Sequence, residues 1–132
     1  MKSLEVMKRQ LLTVADAVGI SCVGVVLGSM LGWGLVVGTG SERRYWNPLT
    51  NDADSRKVQV ALGIDLFIKH DRAEAVGPGT AVCTARYEEY QGVDGGPAAE
   101  KEAAARNAVF EAAVLVASAR AERLAAAGDG VA

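Results

Sequence analysis

The sequence predicts an α+β domain, in which a small antiparallel sheet of about four strands packs against three helices. The expected element order is α-β-β-α-β-β-α. Near both ends of the chain, apolar residues recur at spacings of three and four, which is typical of amphipathic helices. Between them lie short runs rich in β-branched residues and bounded by glycines, which is typical of antiparallel strands.

Composition limits the class of protein. The chain has 132 residues, of which 50% are hydrophobic and only 5% aromatic, so we expect one domain, over residues 1–127, with a core of small side chains. Residues 128–132 are expected to be a disordered tail. The net charge of −2 gives no overall attraction to nucleic acid. Cys22 and Cys83 fit no metal-binding spacing, and no signal peptide is evident, which favours reduced thiols in a cytoplasmic protein.

Residues 3–18 are predicted to form the first helix, with Ser3 as its N-cap and Gly19 at its end. Residues 17–41, which carry no charge, allow two interpretations. They are long enough for a single-pass membrane helix in which regularly spaced glycines favour close packing. They also divide into two β-branched runs, 20–27 and 31–37, around a glycine turn. We prefer the hairpin, because the many glycines lower both helix propensity and hydrophobicity.

A second helix is predicted from about residue 52 to Leu62. Asn51 and Asp54 resemble a capping box, Asp52 suits the positive end of the helix, and Gly63 suits its end. We interpret these two aspartates as capping residues. Together they supply too few oxygen ligands for a calcium loop, and the sequence predicts no metal site and no cofactor.

Two strands, 64–70 and 80–88, and a long final helix, 97–126, complete the prediction. His70 ends the first of these strands without a nucleophile motif nearby, so we expect a solvated side chain and no catalytic dyad. In the last helix one apolar stripe is expected to cover a sheet or a partner, and Glu102 and Arg106 are expected to pair on its outer side. The stripe consists of Phe110, Val114, Ala117, Ala121 and Leu124.

The stretch from Tyr45 to Asp54, which reads Tyr-Trp-Asn-Pro-Leu-Thr-Asn-Asp-Ala-Asp, resembles a motif of small tailed-phage and prophage proteins. These are the NinX-like proteins and the phage α/β/α (ABA) sandwich domains. The similarity continues through Leu62-Gly63-Ile64 and extends to the first helix and to the alanine-rich segment 104–113. The resemblance implies phage origin and a sandwich fold, but it implies no chemistry, because fold analogy does not supply a function.

Five consecutive residues form the candidate ligand site: Arg43, Arg44, Tyr45, Trp46 and Asn47. Arginines bind phosphate, and an aromatic face stacks on a base, so this combination is suited to a nucleotide. The alternative is that Trp46 belongs to the core and that both arginines are solvated.

Three functions follow as hypotheses. The first is a non-enzymatic binding module in the host cytoplasm that sequesters a nucleotide-derived defence signal. The second is a protein-interaction module that inhibits a host enzyme through its last helix or a sheet edge, and the third is the membrane protein described above. No catalytic residues are predicted. The few large core residues also suggest a homo-oligomer formed through the hairpin or the last helix.

Overall fold

The computed structural model describes residues 3–29, 32–38 and 40–129, and within them the α+β class is confirmed. The helices are α1 (Leu4–Ala17), α2 (Asp52–Leu62) and α3 (Gly96–Asp129). The strands are β1 (Cys22–Ser29), β2 (Gly32–Val37), β3 (Arg44–Trp46), β4 (Asp65–Ile68), β5 (Arg72–Val76) and β6 (Cys83–Arg86). Short 3₁₀ turns occupy Gly40–Glu42 and Tyr87–Tyr90.

The region that allowed two interpretations forms the antiparallel hairpin of β1 and β2, in which Val25 lies opposite Leu35. Residues 30 and 31, where the two strands are joined, lie outside the described residues. Leu35 and Val37 are buried on one face of β2, as their alternation predicts. Within the described residues, none of the helices combines the length and the apolar character that crossing a membrane requires.

The strands form two antiparallel sheets of three, where the sequence predicted one sheet of about four. The N-terminal sheet has the order β1-β2-β3 and the C-terminal sheet the order β4-β5-β6. The additional strands are β3, which pairs with β2 through Leu35 and Trp46, and β5, which is central in its sheet. Neither has the run of β-branched residues by which strands are recognised in a sequence.

Local capping sets the ends of α1 and α2 as expected. The Ser3 hydroxyl accepts a hydrogen bond from the Val6 amide at 3.2 Å, and the Asn51 side chain accepts one from the Asp54 amide at 3.0 Å. Gly63 ends α2 in the left-handed conformation, with φ of 66°. A side chain would make that conformation costly, so a glycine is favoured there.

Helix α3 is the element on which both halves of the fold pack. It contacts α1, α2 and all three strands of the C-terminal sheet. Ala104 and Ala108 on α3 and Ala73 and Ala75 on β5 are all buried, so the helix and the sheet approach closely through small side chains. The largest buried side chains are Trp46, from the N-terminal sheet, and Phe110, from α3.

One expectation for α3 is confirmed and one is corrected. Its apolar stripe covers the C-terminal sheet and is buried at Phe110 and Ala117, whereas Leu124 is 75% exposed among the described residues. Arg106 does not pair with Glu102 but donates to the Leu49 carbonyl at 2.9 Å and to Asp52 at 2.6 Å, which joins α3 to the start of α2. The helix continues to Asp129, and the rest of the expected tail, residues 130–132, lies outside the described residues.

Candidate functional site

The five candidate residues follow strand β3 and the turn after it, so the alternation of the strand divides them. Trp46 lies opposite Leu35 on the buried face of the N-terminal sheet and is only 1% exposed. Tyr45 lies opposite Val36 on the other face and is 37% exposed. The indole is therefore a core group whose ring faces are covered, and the alternative interpretation of Trp46 is the one observed.

Asn47 is also buried, with 2% of its surface exposed. Its side-chain oxygen accepts a hydrogen bond from the Leu49 backbone amide at 2.9 Å, and its backbone amide donates to the Asp54 carboxylate at 3.0 Å. These bonds shape the turn that leads from β3 into α2. The structure thus separates Trp46 and Asn47, which hold the site in place, from Arg43, Arg44 and Tyr45, which reach the surface.

Asp54 organises this region, which the sequence did not reveal. It was expected to act only as a helix-start residue, but its carboxylate is 2% exposed and lies at the junction of β3 and α2. It accepts hydrogen bonds from the Asn47 amide and from the Arg44 guanidinium, the latter at 3.1 and 3.4 Å. Buried carboxylates require such partners. Arg44 lies on a strand and Asp54 lies on a helix, ten positions further along the chain. No local sequence pattern predicts that two such residues pair.

A depression of about 600 Å³ opens beside the surface residues of the site. Its described lining consists of Val36, Arg43, Arg44 and Tyr45. Its size is within the range of small-molecule sites in proteins. We call this depression, with the four described residues that line it, the arginine–tyrosine site.

The two arginines of the arginine–tyrosine site differ in their surroundings. Arg44 is fixed by Asp54 and by the Tyr45 carbonyl, to which it donates at 3.3 Å, and 47% of its side chain is exposed. Arg43 is exposed and forms no ion pair with any described residue. One cation is thus oriented by the protein and partly neutralised, while the other is available to a negatively charged group.

The C-terminal sheet carries a second charged cluster, in which the acidic and basic side chains pair with one another. Arg72 pairs with Glu74 at 2.8 Å and with Asp71 at 2.7 Å, Lys69 pairs with Glu74 at 2.9 Å, and Arg86 lies 3.6 Å from Asp71. Hydrogen bonds from Lys69 and Arg72 lower the pKa of Glu74. Desolvation raises the pKa of Asp71, but the charge and hydrogen bond of Arg72 outweigh it and leave that pKa below its ordinary value. The cations of this cluster are already paired, so it offers a ligand less than the arginine–tyrosine site does.

The remaining reactive groups are dispersed. His70 is 92% exposed, and its Nδ1 lies 3.9 Å from Asp71, which agrees with the solvated side chain expected from the sequence. Cys22 and Cys83 form no disulfide with each other. In the described part of the chain, histidine, cysteine and carboxylate side chains form no group of three or more that could hold a metal ion.

Comparisons with protein families, with curated proteins and with solved structures found no match to this chain. The resemblance to the phage ABA sandwich proteins therefore stays a prediction.

Proposed function

We propose that this chain is a phage-encoded, non-enzymatic binding module that sequesters a nucleotide-derived signal in the host cytoplasm. The observation that supports this most directly is the arginine–tyrosine site, where the Arg43 guanidinium, which pairs with no described residue, and an exposed phenol ring share a depression of suitable volume. The phage origin and the host compartment are added by the sequence resemblance. A sequestering protein needs affinity and no chemistry, which agrees with a site made of cations and an aromatic ring.

The parts of the site have complementary tasks in this proposal. Arg43 binds a phosphate oxygen, because its guanidinium pairs with no described residue. Tyr45 stacks on the base, and Val36, which lies opposite it on β2, extends the apolar surface under the ligand. Asp54 holds Arg44 in one orientation before the ligand arrives, which reduces the entropy lost on binding.

Calorimetric titration with cyclic mononucleotides, cyclic dinucleotides and linear nucleoside phosphates tests the proposal. We expect Tyr45→Ala to weaken binding by roughly 5- to 150-fold, the range that corresponds to one base–aromatic stack. Arg43→Gln should weaken binding and reduce its salt dependence. Arg56→Gln is the matched control, because Arg56 is an exposed arginine outside the depression, on α2. Absence of heat and of thermal stabilisation with every nucleotide would reject the proposal.

The second candidate function is inhibition of a host enzyme, and the feature that favours it is the edge strand β4. Phe67 and Ile68 are 52% and 57% exposed on this strand, which among the described strands pairs with β5 alone. An edge with apolar side chains can accept a strand of another protein. If this function holds, a host enzyme captured by the wild-type chain should be lost with Phe67→Glu and retained with Tyr45→Ala. The opposite pattern would favour the arginine–tyrosine site.

A further inference from the structure

Helix α3 is longer than the diameter expected for a compact domain of this size. Its 34 residues extend over about 51 Å at a rise of roughly 1.5 Å per residue. A compact domain of this length has a radius of gyration of about 14 Å, which corresponds to a diameter of roughly 36 Å. The end of α3 must therefore project, and residues 121–127 are all exposed. A helix end without tertiary contacts is only marginally stable in water.

The projecting end borders a groove of about 480 Å³ between the last turn of α1 and residues 117–124 of α3. We call it the α1–α3 groove. Its described lining consists of Thr13, Asp16, Ala17, Ala117, Arg120, Ala121 and Leu124. Three of these residues are alanines, which leave space, and Leu124 is a large apolar side chain that is 75% exposed. The stripe that is buried at Phe110 and Ala117 thus continues along the groove, where the described residues leave Leu124 exposed.

The charges of the groove are also unmatched. Asp16 lies on α1 and Arg120 on α3, and neither forms an ion pair with another described residue. The Thr13 hydroxyl donates a hydrogen bond to the Arg9 carbonyl at 2.8 Å. A molecule bound in the groove therefore does not need to accept a hydrogen bond from it. The groove therefore offers small apolar residues, one leucine, one acid and one base within a single patch.

We propose that the α1–α3 groove is the interface of a two-fold symmetric homodimer, in which the projecting end of α3 from a second copy lies in the groove. In such a dimer each copy supplies the same patch, so the patch must be complementary to itself. The α1–α3 groove meets this condition, because it contains both a protruding leucine and the alanine-lined space to receive one. Its acid and its base can each meet the opposite charge across the two-fold axis.

A second copy fits this patch better than an unrelated helix does. An apolar peptide would cover Leu124 and the alanines but would leave Asp16 and Arg120 without partners. A second copy supplies Arg120 to Asp16 and Asp16 to Arg120 at once, and it also covers the exposed turns of its own α3. The dimer is independent of the arginine–tyrosine site, which lies on the N-terminal sheet.

Sedimentation equilibrium of the full chain over about 1 to 200 µM tests the dimer. We expect a species of twice the 13.7 kDa chain mass in the wild type. Leu124→Glu should weaken association at least tenfold, or about 1.4 kcal/mol. The matched control is Leu115→Glu, because Leu115 is an exposed leucine of the same helix that does not line the groove. A monomeric wild type, or an equal effect of both substitutions, would refute the proposal.

A charge exchange gives a second test that does not depend on the apolar contact. Asp16→Arg and Arg120→Asp should each weaken the dimer, because each places like charges across the interface. The double variant should regain at least half of the lost association free energy, since the pairing is restored with reversed sign. Circular dichroism shows whether each variant keeps its helix content. Losses that simply add in the double variant, or a closed trimer, would contradict the two-fold arrangement.

Discussion

Asp54 shows what a single buried residue contributes to this fold. Its carboxylate accepts hydrogen bonds from the Asn47 amide and from Arg44, and it is almost fully buried. Asp54→Ala removes the acceptor of the buried Asn47 backbone amide and the ion pair with Arg44, so we expect the free energy of unfolding to fall by about 2 to 4 kcal/mol. Asp52→Ala is the matched control. Its side chain is 67% exposed, and its pair with Arg106 should contribute no more than about 1 kcal/mol.

Urea unfolding curves of the wild type and both variants measure this difference. Asp54→Asn should recover part of the stability, because an amide oxygen can still accept from the Asn47 amide. If Asp54→Ala and Asp52→Ala lost the same small amount, the carboxylate of Asp54 would not organise the junction of β3 and α2.

The ion-paired carboxylates of the C-terminal sheet predict a response to acid. The pKa values of Asp71 and Glu74 are lower in the folded chain than their ordinary values. Their contribution is therefore complete above the unfolded-state pKa values of about 4 and is lost as the pH falls through the lower folded values. We expect the melting temperature to decrease when the pH is lowered below roughly 4. The decrease should be smaller in Glu74→Gln than in the wild type. Glu88→Gln is the control, because Glu88 is exposed and forms no ion pair with a described residue. An identical pH profile for wild type and Glu74→Gln would contradict this.

At the scale of elements, the sequence predicts best what is determined locally. The ends of α2 depend on Asn51 and Gly63, which act within one turn, and both were predicted. Strand β3 depends on β2, because its three residues gain strand geometry only through pairing with Leu35, Val36 and Val37. In β5, Ala73 and Ala75 alternate with Arg72 and Glu74, but alanine and charged residues are weak strand formers.

The same limit applies to the candidate site. Proximity along the chain grouped Arg43 to Asn47, but the pleat of β3 sends Tyr45 and Trp46 to opposite faces of the sheet. The sequence did not decide which of these residues are buried, because Trp46 fitted both a ligand site and the core. The pair of Arg44 and Asp54 could not be predicted, since it depends on where α2 packs relative to β3.

Gly34 is where the pairing of β2 with β3 is most tightly constrained. A Cβ atom at this position would lie 2.7 Å from the Trp46 carbonyl oxygen, and its φ is 153°. We expect Gly34→Ala to destabilise the protein by at least about 2 kcal/mol, because the two strands must separate. Gly24→Ala is the matched control. Its Cβ would approach Val36 no closer than 4.0 Å, and it should change stability by less than about 1 kcal/mol.

Thermal unfolding followed by tryptophan fluorescence checks both glycine variants. Both tryptophans of the chain, Trp33 and Trp46, belong to the N-terminal sheet, so its loosening is reported directly. A Gly34→Ala variant as stable as Gly24→Ala would mean that β3 adjusts without cost.

At the scale of the whole molecule, two separate sheets share one core. The buried cluster contains Trp46 and Leu35 from the N-terminal sheet and Ala73 and Ala75 from the C-terminal sheet, and Phe110 of α3 belongs to the same cluster. Because α3 packs against α1, α2 and the C-terminal sheet, no half of the fold can bury its apolar face alone. The two sheets should therefore lose their structure together.

This shared core predicts a single cooperative unfolding transition. Tryptophan fluorescence follows the N-terminal sheet, and far-ultraviolet circular dichroism is dominated by the helices, above all α3. We expect the two urea curves to coincide in the wild type. Phe110→Ala should shift both midpoints equally and reduce the free energy of unfolding by about 3 to 5 kcal/mol, because it leaves a cavity where the cluster is joined. If fluorescence changed at lower urea than the helix signal, the N-terminal sheet would be a separate unit that unfolds first.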